Sequence, residues 1–142
     1  MERLPWSVYI LSREIYGIFD VVLFPGVLYH LRHPLLALEK IHRVCREMAF
    51  IEFQVLDEAF IHERQRIPLA KVNPLLTSSP VMQFYPTNEL NNDYSNWWSP
   101  NVECLRWMLE TSGFRAELAG RWADRAAFRA YRLDFTPPLA WY

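Results

Sequence analysis

Glycine and cysteine are scarce in this sequence. Only four of its 142 residues are glycine, and the two closest in sequence, Gly113 and Gly120, are seven positions apart. The two cysteines, Cys45 and Cys104, lie in segments with a helical pattern. The scarcity of cysteine argues against a disulfide-stabilised secreted domain and favours a reducing, cytoplasmic location.

Excess charge and long apolar runs are also absent. The formal net charge is -1, which provides no general electrostatic attraction to nucleic acid, although a local patch could still bind RNA. The longest apolar run, 21–28, contains Pro25 and Gly26 and is too short to cross a membrane. The N-terminus contains Glu2 and Arg3 and has no apolar signal core, so we expect no membrane partner.

About half of the residues are hydrophobic, and their spacing predicts one α/β domain. The continuous apolar run at 19–24 is typical of a central parallel strand that is covered on both faces. Pro34 suits the first turn of an amphipathic helix, and the next strand is expected at 48–56. The other expected elements are a short strand or strand remnant at 6–11, a helical turn at 12–17, a helix that begins with Ser99 and Pro100, and a hairpin of strands 115–122 and 126–133 joined by Ala123 and Asp124.

A long segment, 57–99, separates the second strand from the second helix. It has little periodicity and several prolines, and a connection of this length within a compact domain is commonly functional. Its many aromatic residues argue against disorder. Within it, 59–66 could form a helix.

Three passages carry a resemblance to a known family: FDVVLFPGVLYHLRHPLLALEKIHRVC, MAFIEFQVLDE and FYPTNELNNDYSNWWSPNVECLRWMLETSGF. They resemble the C-terminal half of class I S-adenosylmethionine-dependent methyltransferases. Within that family they are most similar to bacterial methyltransferases related to the tRNA wobble-uridine carboxymethyl-transfer enzymes. The resemblance runs from about Ser7 to Arg132 and implies S-adenosylmethionine as the cofactor.

The resemblance also implies a fold and a domain organisation. The expected fold is α/β, a partial Rossmann-like methyltransferase sheet with strands equivalent to 4 to 7, flanking helices and a terminal antiparallel hairpin. In such sheets the ligand lies across the C-terminal ends of the strands. The chain 1–142 is then a single truncated domain, with 1–18 as an N-terminal remnant and 57–99 as a long loop on the substrate side.

The sequence departs from the family at the cofactor site. The family has a glycine-rich turn after its first strand, where the backbone approaches the cofactor, and the spacing of the four glycines here excludes such a turn. Ile10 occupies the place of an acidic residue that meets the adenine amine in the family. The isolated chain is therefore expected to be unable to bind the cofactor alone.

The residues after the first two strands are the candidates for catalysis and cofactor binding. The resemblance places Gly26 and Tyr29 against the methionine end of the cofactor, and the alternative is that Gly26 makes a turn and Tyr29 packs on the following helix. His30 and Glu52 are the acid or base candidates. For Glu52, a structural ion pair is an equal alternative, because a carboxylate within an apolar strand needs a partner.

The third passage supplies candidates for substrate binding, because amides, a carboxylate and indoles suit a polar, planar or sugar-like group. These candidates are Tyr85, Asn91, Asn92, Asp93, Asn96, Trp97 and Trp98. The alternative is that Trp97 and Trp98 fill the core and that the Asn-Asn-Asp run makes turns.

Two further groups of residues are interpreted as structural. His33, His42 and His62 form no metal-spaced cluster with Cys or carboxylates, so no metal site is predicted. The arginines of the expected hairpin are interpreted as a solvated strand face. They are Arg121, Arg125, Arg129 and Arg132.

Two hypotheses for function follow. In the first, the chain is a methyltransferase half whose cofactor site is completed by another polypeptide, with a small molecule or RNA as the substrate. In the second, it is a non-catalytic half-domain that acts as a binding or assembly module. The strand at 19–24 would then leave an apolar edge, which the remnant 6–11 covers or a second copy pairs with in a homodimer.

Overall fold

The computed structural model describes residues 7–134. Its eight strands are β1 (Phe19–Pro25), β2 (Cys45–Gln54), β3 (Phe60–His62), β4 (Gln65–Ile67), β5 (Met82–Phe84), β6 (Trp98–Pro100), β7 (Phe114–Trp122) and β8 (Arg125–Arg132). Its α-helices are α1 (Arg13–Tyr16), α2 (Pro34–Val44), α3 (Leu69–Val72) and α4 (Val102–Thr111). Short 3₁₀ helices form at Val8–Ile10, Leu28–His30 and Pro74–Thr77.

The main sheet has four strands in the order β1-β2-β8-β7. β1 and β2 are parallel and are connected through α2, whereas β8 is antiparallel to both β2 and β7. The predicted architecture, a parallel pair followed by a terminal antiparallel hairpin, is therefore confirmed. Two small two-stranded sheets, β3-β4 and β5-β6, form within and at the end of the long segment 57–99.

The hydrophobic core lies on one face of the main sheet. Ala49, Ile51 and Phe53 of β2 are fully buried, and their partners on β8 are Ala130, Phe128 and Ala126. Partners in register project to the same face of a sheet, so these six side chains form one surface. Ala37, Leu38 and Ile41 of α2 and Leu105, Met108 and Leu109 of α4 join them in one core cluster. We call this surface the covered face.

The opposite face, which we call the open face, is partly exposed. Val21 and Leu23 of β1 are 48% and 71% exposed and pair with Met48 and Phe50 of β2. Phe50 in turn pairs with the exposed Arg129. Within residues 7–134, both α2 and α4 contribute their buried side chains to the covered face.

The expectation that 19–24 is a central strand covered on both faces is therefore wrong. In the described part of the chain β1 is an edge strand that pairs with β2 alone, and most of its residues are exposed. A continuous apolar sequence indicates that both faces of a strand are suited to contact other elements. Among the described residues, no layer of helices covers the open face.

The N-terminal segment does not form the expected strand. Within the described part, Val8–Ile10 is a 3₁₀ helix whose Ser7 side chain accepts the Tyr9 N–H at 3.3 Å. Val8 and Tyr9 pack against the core, and this helix contacts α2 rather than pairing with β1. Trp6 and the residues before it lie outside the described residues.

Two further predictions are wrong for local reasons. Residues 59–66 do not form a helix, because Glu63 and Arg64 adopt positive φ values of 48° and 64° and turn the chain into the β3-β4 hairpin. Ser99 and Pro100 belong to β6, and α4 is capped instead by Asn101, whose side chain accepts the Cys104 N–H at 2.8 Å. The predicted helix start was displaced by two residues.

No helix among residues 7–134 is long and apolar enough to span a membrane. The Ala123-Asp124 turn of the terminal hairpin occurs as predicted.

Candidate functional site

The C-terminal ends of β1 and β2 bring three of the predicted residues together. Gly26 follows β1 with a φ of +67°, a conformation that glycine adopts without strain, and its N–H donates to the Glu52 carbonyl oxygen at 3.1 Å. The turn then leads into the 3₁₀ helix that holds Tyr29 and His30. A β-carbon at Gly26 would lie 3.5 to 3.7 Å from polar atoms of Arg125, Glu52 and Tyr29.

Glu52 forms a buried ion pair with Arg125. Its side chain is 8% exposed, and both carboxylate oxygens accept from the guanidinium, with Arg125 Nη2 3.0 Å from Glu52 Oε2 and Nε on Oε1. Both terminal nitrogens of Arg125 also donate to the Tyr29 hydroxyl, at 3.3 and 3.4 Å. The hydrogen bonds to Glu52 are the main reason that the pKa of Arg125 is raised above its usual range.

This arrangement corrects the prediction for Arg125. It is not part of a solvated strand face, because it reaches across the open face from β8 to the carboxylate on β2. The structural ion pair proposed as the alternative for Glu52 is present. Both carboxylate oxygens of Glu52 are engaged by this guanidinium and are not directed at a substrate.

His30 is connected to the long segment through Ser95. Its Nδ1 lies 3.1 Å from the Ser95 carbonyl oxygen and 2.9 Å from Ser95 Oγ, which donates to Asp93 Oδ1 at 2.7 Å. Hydrogen bonds from Ser95 are the first cause of the lowered pKa of Asp93. When Nδ1 donates its proton to Ser95, Nε2 carries the lone pair that a general base needs.

Asn91 takes part in a closed ring of side-chain hydrogen bonds next to this cluster. Asn91 Nδ2 donates to Gln54 Oε1 at 3.4 Å, and Gln54 Nε2 donates to Asp124 Oδ2 at 3.2 Å. Arg66 closes the ring by donating to Asp124 and, at 2.9 Å, to Asn91 Oδ1. We call these four side chains the amide ring; they join β2, β4, the 91–92 turn and the β7-β8 turn.

Three of the substrate candidates are buried or partly buried and have polar atoms without a hydrogen-bond partner. The atoms are Tyr85 Oη, Asn96 Oδ1 and Trp98 Nε1. Burial is the main reason that the pKa of Tyr85 is raised to about 12. Buried polar atoms without partners are uncommon and are expected where a ligand or water supplies the missing bond.

Trp97 links the long segment to the strand ends. Its backbone N–H donates to the Tyr29 carbonyl oxygen at 2.9 Å, and the Arg32 guanidinium lies 3.9 Å from the centre of its ring system. Phe84 stacks near it, with 6.5 Å between centroids. Asn92 accepts from Asn88 Nδ2 at 2.5 Å and lies on the surface.

The structure therefore divides most of the candidates into four groups. Gly26, Tyr29 and Glu52 form one cluster, and His30 contacts the segment that holds Asp93. Asn91 and Asn92 belong to a more distant turn, and Tyr85 and Asn96 lie in the interior. Arg125 and Ser95 were missed by sequence reasoning. For Arg125 the available signal was its place directly after the Ala123-Asp124 turn, which sets it opposite the end of β2.

The described residues fit S-adenosylmethionine in part. The polar groups around Gly26 suit the charged methionine end of such a molecule, but Arg125 and Glu52 already occupy each other there. The exposed Ile10 has an aliphatic side chain and cannot bind an adenine amine. Among residues 7–134, no three His, Cys, Asp or Glu side chains are placed to hold a metal ion.

No protein-family model and no curated protein matches this sequence. Among solved structures, the chain is similar to the N-terminal domain of EvdMO1 in the presence of SAH and D-fucose, with a TM-score of 0.53 and 19% identity over 90% of this chain and 52% of that chain. TnmH gives a TM-score of 0.53 and 13% identity, over 89% of this chain and 33% of that chain. Magnesium protoporphyrin IX methyltransferase (ChlM) from Synechocystis PCC 6803 with bound SAH gives 0.49 and 14%, over 89% and 49%.

These likenesses concern the fold. The chain has an α/β sheet with the fold of the EvdMO1 domain, and the predicted fold class, a partial Rossmann-like sheet, is confirmed. It spans about half of the length of the EvdMO1 domain and about a third of that of TnmH.

Proposed function

We propose that this chain is the substrate-side part of an S-adenosylmethionine-dependent methyltransferase domain, and that its cofactor pocket is completed along the free edge of β1. The observation that carries the proposal is β1 itself. It has one strand partner in the described part of the chain, and its apolar Val21 and Leu23 are exposed on the open face. In the resembled family, the strands that hold the cofactor lie at this edge.

The completing polypeptide must supply what this sequence lacks. A glycine-rich turn has to approach the cofactor, and an acidic residue has to bind the ribose hydroxyls. Apolar side chains have to cover Val21, Leu23 and their neighbours. The SAH of the EvdMO1 structures supports this class of cofactor, which supplies the methyl group when it is bound.

The residues of this chain would orient the reaction rather than activate the cofactor. The Tyr29 hydroxyl and Arg125 Nη1, the guanidinium nitrogen that does not donate to Glu52, would bind a carboxylate at the strand ends. His30 Nε2 would accept a proton from the substrate, with Ser95 fixing the ring. Glu52 would hold Arg125 in place. Both small-molecule and RNA substrates, including the tRNA wobble position, remain predictions from the resemblance.

Calorimetry with SAH tests this proposal in two steps. We expect no binding by the chain alone. A chimera that joins it to the part of the EvdMO1 domain outside the alignment should bind SAH, because it restores the remainder of a domain that binds SAH. Leu23→Asp should abolish that binding by placing a charge at the new interface, and Arg46→Gln at the other end of β2 should not.

Two results would contradict the proposal. Micromolar binding of SAH by the chain alone would show that its pocket is already complete. A folded chimera that binds SAH equally well with Leu23→Asp would show that the open face is not the joining surface.

A second candidate function is a non-catalytic assembly module. The unpaired edge of β1 allows two copies to pair edge to edge around a two-fold axis, so that the main-chain groups of both edges gain hydrogen-bond partners. Sedimentation velocity should then show a dimer that Val21→Lys dissociates. A monomer at all concentrations would exclude this candidate.

A further inference from the structure

A cleft of about 450 Å³ lies between the β3-β4 hairpin and the turn at 88–92. Its lining includes Ile61, Arg64, Arg66, Asn88, Glu89 and Asn92. We propose that this cleft binds a neutral, polyhydroxylated ligand of the monosaccharide class. This names the substrate class of the proposed methyltransferase and rests on that proposal for the transfer step, although the binding itself does not need the cofactor.

The walls of the cleft are unusually ordered turns. Four of the five non-glycine residues with positive φ in the described chain form two consecutive pairs, Glu63-Arg64 and Asn91-Asn92, one pair in each wall. Such residues cost conformational energy and are concentrated at sites that must keep one shape. Gln83 fixes the first wall by accepting the Ile61 N–H at 2.9 Å and donating to the Ile61 carbonyl oxygen at 2.6 Å.

The two walls are also tied to each other. Arg64 donates to Asn88 Oδ1 at 3.3 Å, and Asn88 donates to Asn92. Arg66 donates to Asn91 within the amide ring. The cleft is therefore formed before a ligand arrives, which lowers the entropy cost of binding.

The lining suits a neutral ligand better than an anion. Arg66 is paired with Asp124, and Arg64 shares the cleft with the carboxylate of Glu89, so the four charges balance. The amides of Asn88 and Asn92 each offer a donor and an acceptor. Hydroxyl groups need both donors and acceptors, whereas a phosphate would meet the repulsion of Glu89.

The floor is apolar. Ile61 lines the cleft and packs with Tyr85 and Leu90 in a small cluster separate from the main core. A pyranose ring has C–H groups on its faces and hydroxyls at its rim, which matches an aliphatic floor with a polar rim. The volume lies within the range of roughly 300–1,000 Å³ that small-molecule sites occupy.

The cleft connects to the strand-end cluster through the amide ring. Arg66 belongs to both the cleft and the ring, and Gln54 of the ring lies two residues beyond Glu52. A ligand in the cleft therefore lies on the same edge of the sheet as His30 and Arg125.

Titration of the ¹⁵N-labelled chain by NMR, without cofactor, tests the assignment. The probes are methyl glycosides of common hexoses, with inorganic phosphate and AMP as anionic probes. We expect saturable shifts of the Asn88 and Asn92 side-chain amides with at least one hexoside, at an affinity independent of salt. Asn88→Ala and Glu89→Gln should each weaken this binding about fivefold, because the first removes an amide from the cleft and the second replaces a charged acceptor oxygen by an NH2 donor. Arg46→Gln at the opposite end of β2 is the matched control.

The sign of the Glu89→Gln effect distinguishes the two ligand classes. A neutral sugar loses an acceptor and binds more weakly, while an anion loses a repulsive charge and binds more tightly. Shifts with phosphate or AMP that strengthen in Glu89→Gln, or no shifts with any hexoside, would overturn the proposal. Thermal unfolding of each variant checks the fold. The titration contains no SAH, so its outcome does not depend on the chimera experiment. Hexoside binding can be observed even if the chimera fails to bind SAH.

Discussion

The two faces of the main sheet are formed by the same strands, but one is buried and the other is partly exposed. On the covered face, Ile51 and Phe128 are buried under α2 and α4. On the open face, Leu23 is exposed, and the buried Glu52 and the partly exposed Arg125 lie near the strand ends. The difference shows that the hydrophobic core lies on the covered face, while the open face carries the candidate site.

Truncation of a buried side chain should give the largest difference between the faces. Ile51→Ala should lower the free energy of unfolding by about 2–5 kcal/mol, through lost burial and a residual cavity. Leu23→Ala on the open face should change it by less than about 0.5 kcal/mol, because that side chain is already in water. Urea unfolding of both variants measures the difference. Equal losses would mean that the open face is covered in solution.

Removal of one partner of the ion pair should be the next largest effect. Arg125→Leu leaves the Glu52 carboxylate buried without compensation, and we expect a loss of about 2–3 kcal/mol, less than for a fully buried pair because Arg125 is partly exposed. Arg129→Leu is the matched control on the same strand and face. Its pair with Glu117 is exposed, so its loss should be below about 1 kcal/mol. Comparable losses would indicate that solvent screens Glu52 as well.

A glycine substitution tests the packing between α4 and β7 on the covered face. Gly113→Ala should cost about 2 kcal/mol, because φ is +97° and the new β-carbon would lie 2.7 Å from His42 Nε2. Gly17→Ala has φ of +78° but meets no atom within 4 Å, so it isolates the backbone strain at about 1 kcal/mol. Melting temperatures of the two variants would contradict this interpretation if they coincided.

A change of pH is expected to have the smallest effect on the free energy of unfolding. Burial is the main reason that the pKa of His42 is lowered from its ordinary value of 6.5, and its Nε2 contacts the Leu133 carbonyl oxygen at 2.9 Å. The unfolded chain binds this proton more readily, so stability is complete above pH 6.5 and falls as the pH drops below it.

His42→Gln should flatten this part of the stability curve relative to the wild-type chain. Chemical unfolding between pH 5 and about pH 8 measures both curves. A wild-type curve that is flat over this range would contradict the role of His42.

The regular elements were predictable where local chemistry and tertiary packing agree. Pro34 begins α2, and the strands of the hairpin flank the Ala123-Asp124 turn as expected. Prediction failed where polar turns decide the path, as at Glu63 and Arg64, whose left-handed conformations are not typical of those residue types. It also failed for α4, because three consecutive residues, 99–101, can each be placed at a helix start and only the β5-β6 pairing selects Asn101.

The site was predictable in part for the same reason. Gly26, Tyr29 and Glu52 follow or end adjacent parallel strands, so their proximity follows from the strand-helix-strand order. Arg125, Ser95 and Arg66 approach them from segments that are distant in sequence. Pairing between such segments depends on the register of β8 and on the path of 57–99, and no local pattern encodes either.

The sequence by itself determined the order of the elements, the fold class and the lack of a glycine-rich turn, because spacing and residue type act over a few positions. The tertiary structure decided which face of the sheet is covered, that Arg125 neutralises Glu52, and that the turns at 63–64 and 91–92 enclose a cleft. Those outcomes depend on side chains 24 to 73 residues apart in the chain, as for Arg64 with Asn88 and Glu52 with Arg125. Burial and charge compensation at such separations act only once the chain has folded.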